Sequence, residues 1–288
     1  MELEGRHVVV TGAAGGIGAA LAARFHADGA RVTLSDRRQP PLASLAGQLE
    51  AARPGSAHAV VADVGTEDGN RALIDAARRQ FGPIDLFFAN AGVAIGRDPM
   101  SDEGEWTTAF NVNIHAHRWA ARYLLPEWLQ RGEGYFCNTA SAAGLLSQIG
   151  SAPYSLTKAA AVSFAEWLSI TYGDRGLRVS CLCPQGVNTA MLRGEPPGAA
   201  AVPASSPAGT ATGDGDGVGD LGSAVVRAAG AVLEPAEVAD VVARAIRDEQ
   251  FLILPHPEVQ RYRERKAADT ERWLAGMRAL QARMTGGA

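Results

Sequence analysis

Tyr154 and Lys158, in the stretch YSLTK at 154–158, set a phenol and a primary amine four positions apart. On a helix this spacing puts both side chains on one face, one turn apart. Free tyrosine titrates near about pH 10, too high for a base at neutral pH, but an adjacent cation stabilises phenolate and lowers that value. The pair is therefore a candidate proton-transfer unit, with Tyr154 as general acid or base and Lys158 tuning it. The choice of lysine favours this over an ordinary pair on a helix surface. Of the 27 basic residues only Lys158 and Lys266 are lysines, and an ε-ammonium is a compact charge whose titration responds to burial, whereas guanidinium stays protonated.

The elements that must position this pair follow from the alternation of apolar runs and helical patterns. HVVVTG precedes a helix over 17–28, RVTLSD one over 42–52, HAVVADV one over 67–81, and IDLFFANAG one over 103–130. GYFCNTAS precedes 152–173, and LRVSCLCP opens the remainder. Apolar runs each followed by a crossover predict parallel strands buried on both faces. The expected fold class is α/β: a single-domain, Rossmann-like, doubly wound parallel sheet of about seven strands with helices on both faces. FLILP at 251–255 would add the seventh strand at an edge. Ligands bind such sheets outside the carboxyl ends of the strands, where Ser141, ending the fifth strand, could hydrogen-bond a substrate oxygen.

With 288 residues, 30.0 kDa and 47% hydrophobic content the chain can bury one full core. A net charge of −4 offers no basic field for a phosphate backbone, so no nucleic-acid partner is expected. The opening MELEGRHVVV lacks a positive leader region and no apolar run reaches membrane-span length, so a soluble, cytoplasmic protein is expected. Cys137, Cys181 and Cys183 are read as reduced core residues, and His115 and His117, two apart on a helix, point different ways, so no metal site is expected. Residues 194–220, rich in Gly, Ala, Pro, Ser, Thr and Asp, break the rhythm and are expected to form a flexible, lid-like insertion, the alternative being a tolerated surface insertion. The tail over 257–288 is expected as a C-terminal helical extension, one Arg-rich helix facing solvent or another subunit.

TGAAGGIG, at 11–18, leaves the first strand and enters the first helix. Gly12, Gly16 and Gly18 permit a tight turn and close backbone approach, so that the N–H groups and positive end of the helix can face a pyrophosphate. The second strand ends at Asp36, at the distance expected of a carboxylate that takes adenosine ribose hydroxyls and repels a 2′-phosphate. Arg37 and Arg38 compete with that reading, since a guanidinium beside the site could receive such a phosphate. With no basic residue in the glycine turn, NAD is favoured over NADP, and Tyr154 would move a hydroxyl proton while the cofactor takes hydride.

In this order the motifs resemble the short-chain dehydrogenase/reductase family, in its shorter, roughly 250-residue type, over about residues 5–255. TGAAGGIG resembles the family's glycine turn, Ile17 included, ADV at 62–64 its adenine-contacting aspartate, and NAG at 90–92 its fourth-strand motif. NVN at 111–113 resembles the stretch whose second asparagine helps hold a proton-relay water. Ser141 stands thirteen before Tyr154, as in the family. The resemblance implies a catalytic set of Asn113, Ser141, Tyr154 and Lys158, with Lys158 also gripping the nicotinamide ribose. It implies further cofactor contacts from Asp63 and Val64, from Asn90, Ala91 and Gly92, and from Pro184, Val187 and Thr189. It also implies a homotetramer or homodimer that uses the helices near 103–130 and 152–173.

One departure concerns PQGVNT at 184–189, where Gln185 stands at the family's first glycine position. Gln185 either offers an amide to substrate or is a harmless replacement beside Gly186. Leu145, Leu146, Ile149, Met191 and Leu192 are expected to border an apolar pocket, which points to a secondary alcohol or ketone substrate. Two competing readings remain: a non-catalytic NAD-binding regulator on the same fold, for which the full catalytic set has no use, and a methyltransferase, which leaves YSLTK and Ser141 unexplained.

Overall fold

The computed structural model describes residues 1–195 and 218–286; most of the expected 194–220 insertion lies outside the described residues. Seven parallel strands form one sheet in the order β3-β2-β1-β4-β5-β6-β7. In chain order these are β1 (His7–Thr11), β2 (Arg31–Asp36), β3 (Ala57–Val61), β4 (Leu86–Ala89), β5 (Gly134–Thr139), β6 (Leu177–Leu182) and β7 (Leu252–Ile253). The order reverses between β1 and β4, which opens a crevice at their carboxyl ends.

Each apolar run divides between two cores because strand side chains alternate in direction. Val8, Val10, Leu86, Phe88, Tyr135, Cys137 and Leu182 join one cluster, under α1 (Gly16–Ala27), α2 (Gln39–Ala52) and α9 (Pro235–Arg247). Val9, Phe87, Phe136 and Cys181 join the other, under α3 (Glu67–Phe81), α5 (Ala116–Arg131) and α7 (Ala152–Tyr172). The three cysteines are free and buried.

The helix expected over 103–130 is α4 (Glu103–Phe110), a π-helical turn (Asn111–His115) and then α5. Such turns recur at functional sites, and this one carries Asn113, which is fully buried. Between β5 and α7 lies a five-residue helix the sequence pattern did not reveal, α6 (Ala142–Leu146). α8 (Val218–Ala229) precedes α9.

The C-terminal tail differs from the single helix expected. It breaks at Asp269, whose extended backbone (φ −152, ψ 90) ends α10 (Glu258–Ala268), and whose carboxylate accepts from Arg272 N to start α11 (Thr270–Met284). α10 packs on α6 and α11 on α8, so both helices lie against their own chain.

Candidate active site

α7 begins at Ser151, whose hydroxyl accepts from Tyr154 N (3.3 Å) and donates to Gly96 O (2.7 Å). This fixes the first turn, so Tyr154 and Lys158 project from one face toward the ends of β4 and β5. Lys158 Nζ lies 5.6 Å from the Tyr154 ring centroid and donates to Thr139 O at 2.9 Å, fully sequestered in the wall of the crevice. Ser141 caps α6, its hydroxyl accepting from Ala143 N at 3.1 Å and donating to Pro184 O at 3.4 Å, and it stands beside the Tyr154 phenol.

Electrostatics here depart from the expectation that the amine lowers the phenol. Burial holds Tyr154 above its ordinary value, with the Ser141 hydroxyl pulling the other way. Burial also pulls Lys158 down to about 8. Burial is the largest influence on the phenol, so in the protein alone desolvation wins.

Asn113 is clamped in the π turn. Its Oδ1 accepts from Val93 N (2.9 Å), and its Nδ2 donates to Val93 O and Thr157 Oγ1, each at 3.0 Å. Gly92 packs between the two polar groups: a Cβ there would sit 3.2 Å from Lys158 Nζ and 3.3 Å from Asn113 Oδ1. Behind them His117 is wholly buried and held down to about 3 by desolvation, with the Lys158 charge adding to the effect.

The glycine turn faces the same crevice. Gly18 carries no side chain because a Cβ would fall 2.2 Å from Gly12 O, and Gly16, at φ 53, lies against Thr189 Cγ2. Ile17 packs under the turn on the first core. Thr11 Oγ1 accepts from both Asn90 N (2.9 Å) and Ala91 N (3.0 Å), tying β1 to the end of β4. Asn90 completes the tie, donating to Thr11 O and accepting from Thr139 Oγ1. Asp36 Oδ2 accepts from Ala14 N (3.1 Å), and both carboxylate oxygens accept from the Arg38 guanidinium at 3.2 and 3.3 Å. Arg37, the arginine expected at the cofactor, is exposed at the rim, whereas Arg38 folds back across Asp36 toward Gly15. Asp63 holds Gly65 N beside buried Val64.

These groups surround one cavity of about 1220 Å³ that runs from Asp36 and Asp63, past the glycine turn, to Ser141, Tyr154 and Lys158. Pro184, Val187 and Thr189 line its far wall, and Gln185, Ile149, Met191 and Leu192 border the end beside Tyr154. Leu145 and Leu146, expected in that border, do not line it; Leu145 packs instead against the second core, because α6 turns that face inward. Gln185 Oε1 is buried and has no hydrogen-bond partner among the described residues. Gln148, the loop from Val93 to Arg97, and Gly222, Ser223 and Val226 of α8 also line the cavity; the α8 residues escape the sequence pattern because they follow the compositionally biased stretch. The cradle fits a dinucleotide: room bounded by glycines at a helix N-terminus, a carboxylate one strand over, and a polar cluster where a nicotinamide ring would reach.

A family profile described as short chain dehydrogenase matches residues 6–199. The 1-deoxy-11-beta-hydroxypentalenate dehydrogenase of Streptomyces exfoliatus is 38% identical over 198 residues, 67% of this chain and 72% of that protein. The meso-2,3-butanediol dehydrogenase of Serratia marcescens is 32% identical over 197 residues, 68% of this chain and 77% of that protein. Among solved structures, a short chain dehydrogenase/reductase from Burkholderia phymatum in complex with NAD superposes with a TM-score of 0.81 at 29% identity, covering 94% of this chain and 96% of that one.

Proposed function

The chain belongs to the short-chain dehydrogenase family, an oxidoreductase acting on hydroxyl or keto groups, and we propose that it interconverts a secondary alcohol and its ketone with NAD, Tyr154 moving the hydroxyl proton. The observation that carries the proposal is that Ser141, Tyr154 and Lys158 line the same cavity as the glycine turn and Asp36. A nicotinamide dinucleotide bound there supplies hydride transfer. The turn at Gly12, Gly16 and Gly18 would present N–H groups to its pyrophosphate, and Asp36 would accept from the adenosine ribose hydroxyls. Asp63 and Val64 would border the adenine, while Asn90, Ala91, Gly92, Pro184, Val187 and Thr189 would hold the nicotinamide half.

Tyr154 donates to, or accepts from, the substrate oxygen, and Ser141 holds that oxygen in reach of the phenol. Lys158 stands close enough to stabilise phenolate, and positive charge arriving with the oxidised cofactor works in the same direction, offsetting the burial that holds Tyr154 up. Asn113 positions the backbone of the π turn for the relay beyond Lys158. NAD is preferred because Asp36 occupies the place a 2′-phosphate would need. Arg38 is already engaged by that carboxylate, which supports the preference. The solved relative from Burkholderia phymatum with NAD bound is consistent with it.

The pocket end lined by Ile149, Met191 and Leu192 favours an apolar substrate. The protein works as a cytoplasmic homotetramer or homodimer, supported by Leu156, Trp167 and Ile170 standing exposed on α7. Among the described residues no helix is long and apolar enough to cross a membrane.

The test is NADH formation from secondary alcohols graded from 2-butanol through cyclohexanol to a polycyclic alcohol, run with NAD and with NADP. Turnover with NAD supports the reading. Turnover with NADP alone would replace it by an NADP-dependent carbonyl reductase. Silence across the panel with tight NADH binding would favour a non-catalytic regulator.

A further inference from the structure

Among the described residues, the two helices after β7 bury almost nothing in the sheet cores: α10 buries Val259 alone and α11 no side chain. Their contacts fall instead on α6, next to the cavity, and on α8, which lines it. His256, which leads into them, accepts from Gln185 N (3.2 Å) and donates through Nε2 to Gly186 O (2.9 Å), holding the loop after β6. Lys266 Nζ donates to Leu145 O at 2.8 Å, and α11 lies against α8, whose Gly222, Ser223 and Val226 line the cavity.

The Lys266 contact falls where a short helix needs one. Leu145 O is among the last carbonyls of α6, which have no intrahelical partner, and a cation there also meets the negative end of the helix. The opposite end of α6 is Ser141 itself, whose hydroxyl forms the N-cap. Between the two, Gly144 lies directly on α7: a Cβ at that position would fall 2.4 Å from Lys158 O. The residue after α6, Ser147, is held at φ 69, a left-handed conformation that a non-glycine residue keeps only when its surroundings enforce it. In a chain whose other basic residues are arginines, both lysines are thus spent on this corner, Lys158 on the phenol and Lys266 on the helix that carries Ser141.

We infer that Lys266 is a positioning residue: by pinning the C-terminal end of α6 it holds Ser141 in reach of Tyr154 and shapes the substrate end of the cavity, while the dinucleotide half is independent of it. The inference rests on the dehydrogenase reading for its kinetic consequence but not for its structural one.

The experiment compares the wild-type protein with Lys266→Met, Lys266→Gln and Lys266→Arg by amide hydrogen exchange, NADH binding and steady-state kinetics on the best alcohol of the panel. In Lys266→Met, exchange should rise over residues 142–151 and stay unchanged in β1 and β2, NADH affinity should hold, and kcat/KM should fall about tenfold. Lys266→Arg, which keeps a charged donor, should recover most of the loss, and Lys266→Gln less. Unchanged exchange over 142–151 overturns the inference whatever the activity. Exchange rising equally in β1 overturns it too, since Lys266 would then stabilise the whole fold rather than α6. If the wild-type protein oxidises no alcohol, the functional reading fails, and the exchange result still decides the role of Lys266.

Discussion

Asp36 and His117 show two ways in which a single buried group is governed by its neighbours. Asp36 is shared between Ala14 N and the Arg38 fork, so Asp36→Ala removes the carboxylate proposed to hold the ribose and releases a guanidinium in the same step. NADH binding should weaken about tenfold or more, with the NADPH-to-NADH ratio rising, as measured by fluorescence titration of both cofactors. An unchanged ratio would mean another residue sets the preference. His117 acts on stability. Its folded imidazole takes up a proton only near 3, whereas the unfolded one does so near 6.5. The unfolded state therefore binds more protons between those values, and stability falls as the pH is lowered through that window, by up to about 1.4 kcal/mol per unit from this group. Urea unfolding at graded pH should show a shallower acid loss in His117→Leu than in the wild-type protein; parallel curves would assign the loss to other groups.

The sheet was legible in the sequence because strands buried on both faces, as in β1, β4 and β5, read as continuous apolar runs, and seven strand-like runs separated by crossovers admit one class of architecture. The candidate site was legible for a related reason: Tyr154 and Lys158 are local on one helix, and Ser141 follows shortly after β5. What escaped notice depends on distance or on brevity. α6 has five residues, too few for a period to show, and Lys266 meets Leu145 across 121 positions. The break at Asp269 is a matter of capping, and Arg38 rather than Arg37 reaches Asp36 because of the turn that follows β2. The upward shift of Tyr154 is a burial effect that composition does not carry. The glycine turn gives a prediction at this scale. In Gly18→Ala the new methyl would meet Gly12 O, which is backbone and cannot rotate away, so the entry to α1 must shift. A loss of about 1–3 kcal/mol in unfolding free energy is expected, together with loss of NADH binding. A variant that binds NADH normally would show that the turn has slack the structure does not reveal.

At the scale of the molecule, the sheet brings two groups of residues to one crevice: a glycine turn and carboxylate at the ends of β1 and β2 that fit a dinucleotide, and the polar cluster of Ser141, Tyr154 and Lys158 beyond β4 and β5. The faces left over have their own consequence. Ile170 is 85% exposed on α7, with Trp167 and Leu156 on the same helix, more apolar surface than a helix in water usually presents. Ile170→Asp should shift the protein toward smaller species in sedimentation velocity while leaving NADH binding intact; an unchanged distribution would remove α7 from the subunit interface. The central claim, that the phenol of Tyr154 moves the proton while the rest of the crevice binds cofactor, is tested most directly by Tyr154→Phe, which deletes one oxygen and nothing else. With the alcohol that the wild-type protein turns over best, kcat should fall by about a hundredfold to ten-thousandfold while the dissociation constant for NADH stays where it was. Turnover retained in the variant would contradict the account.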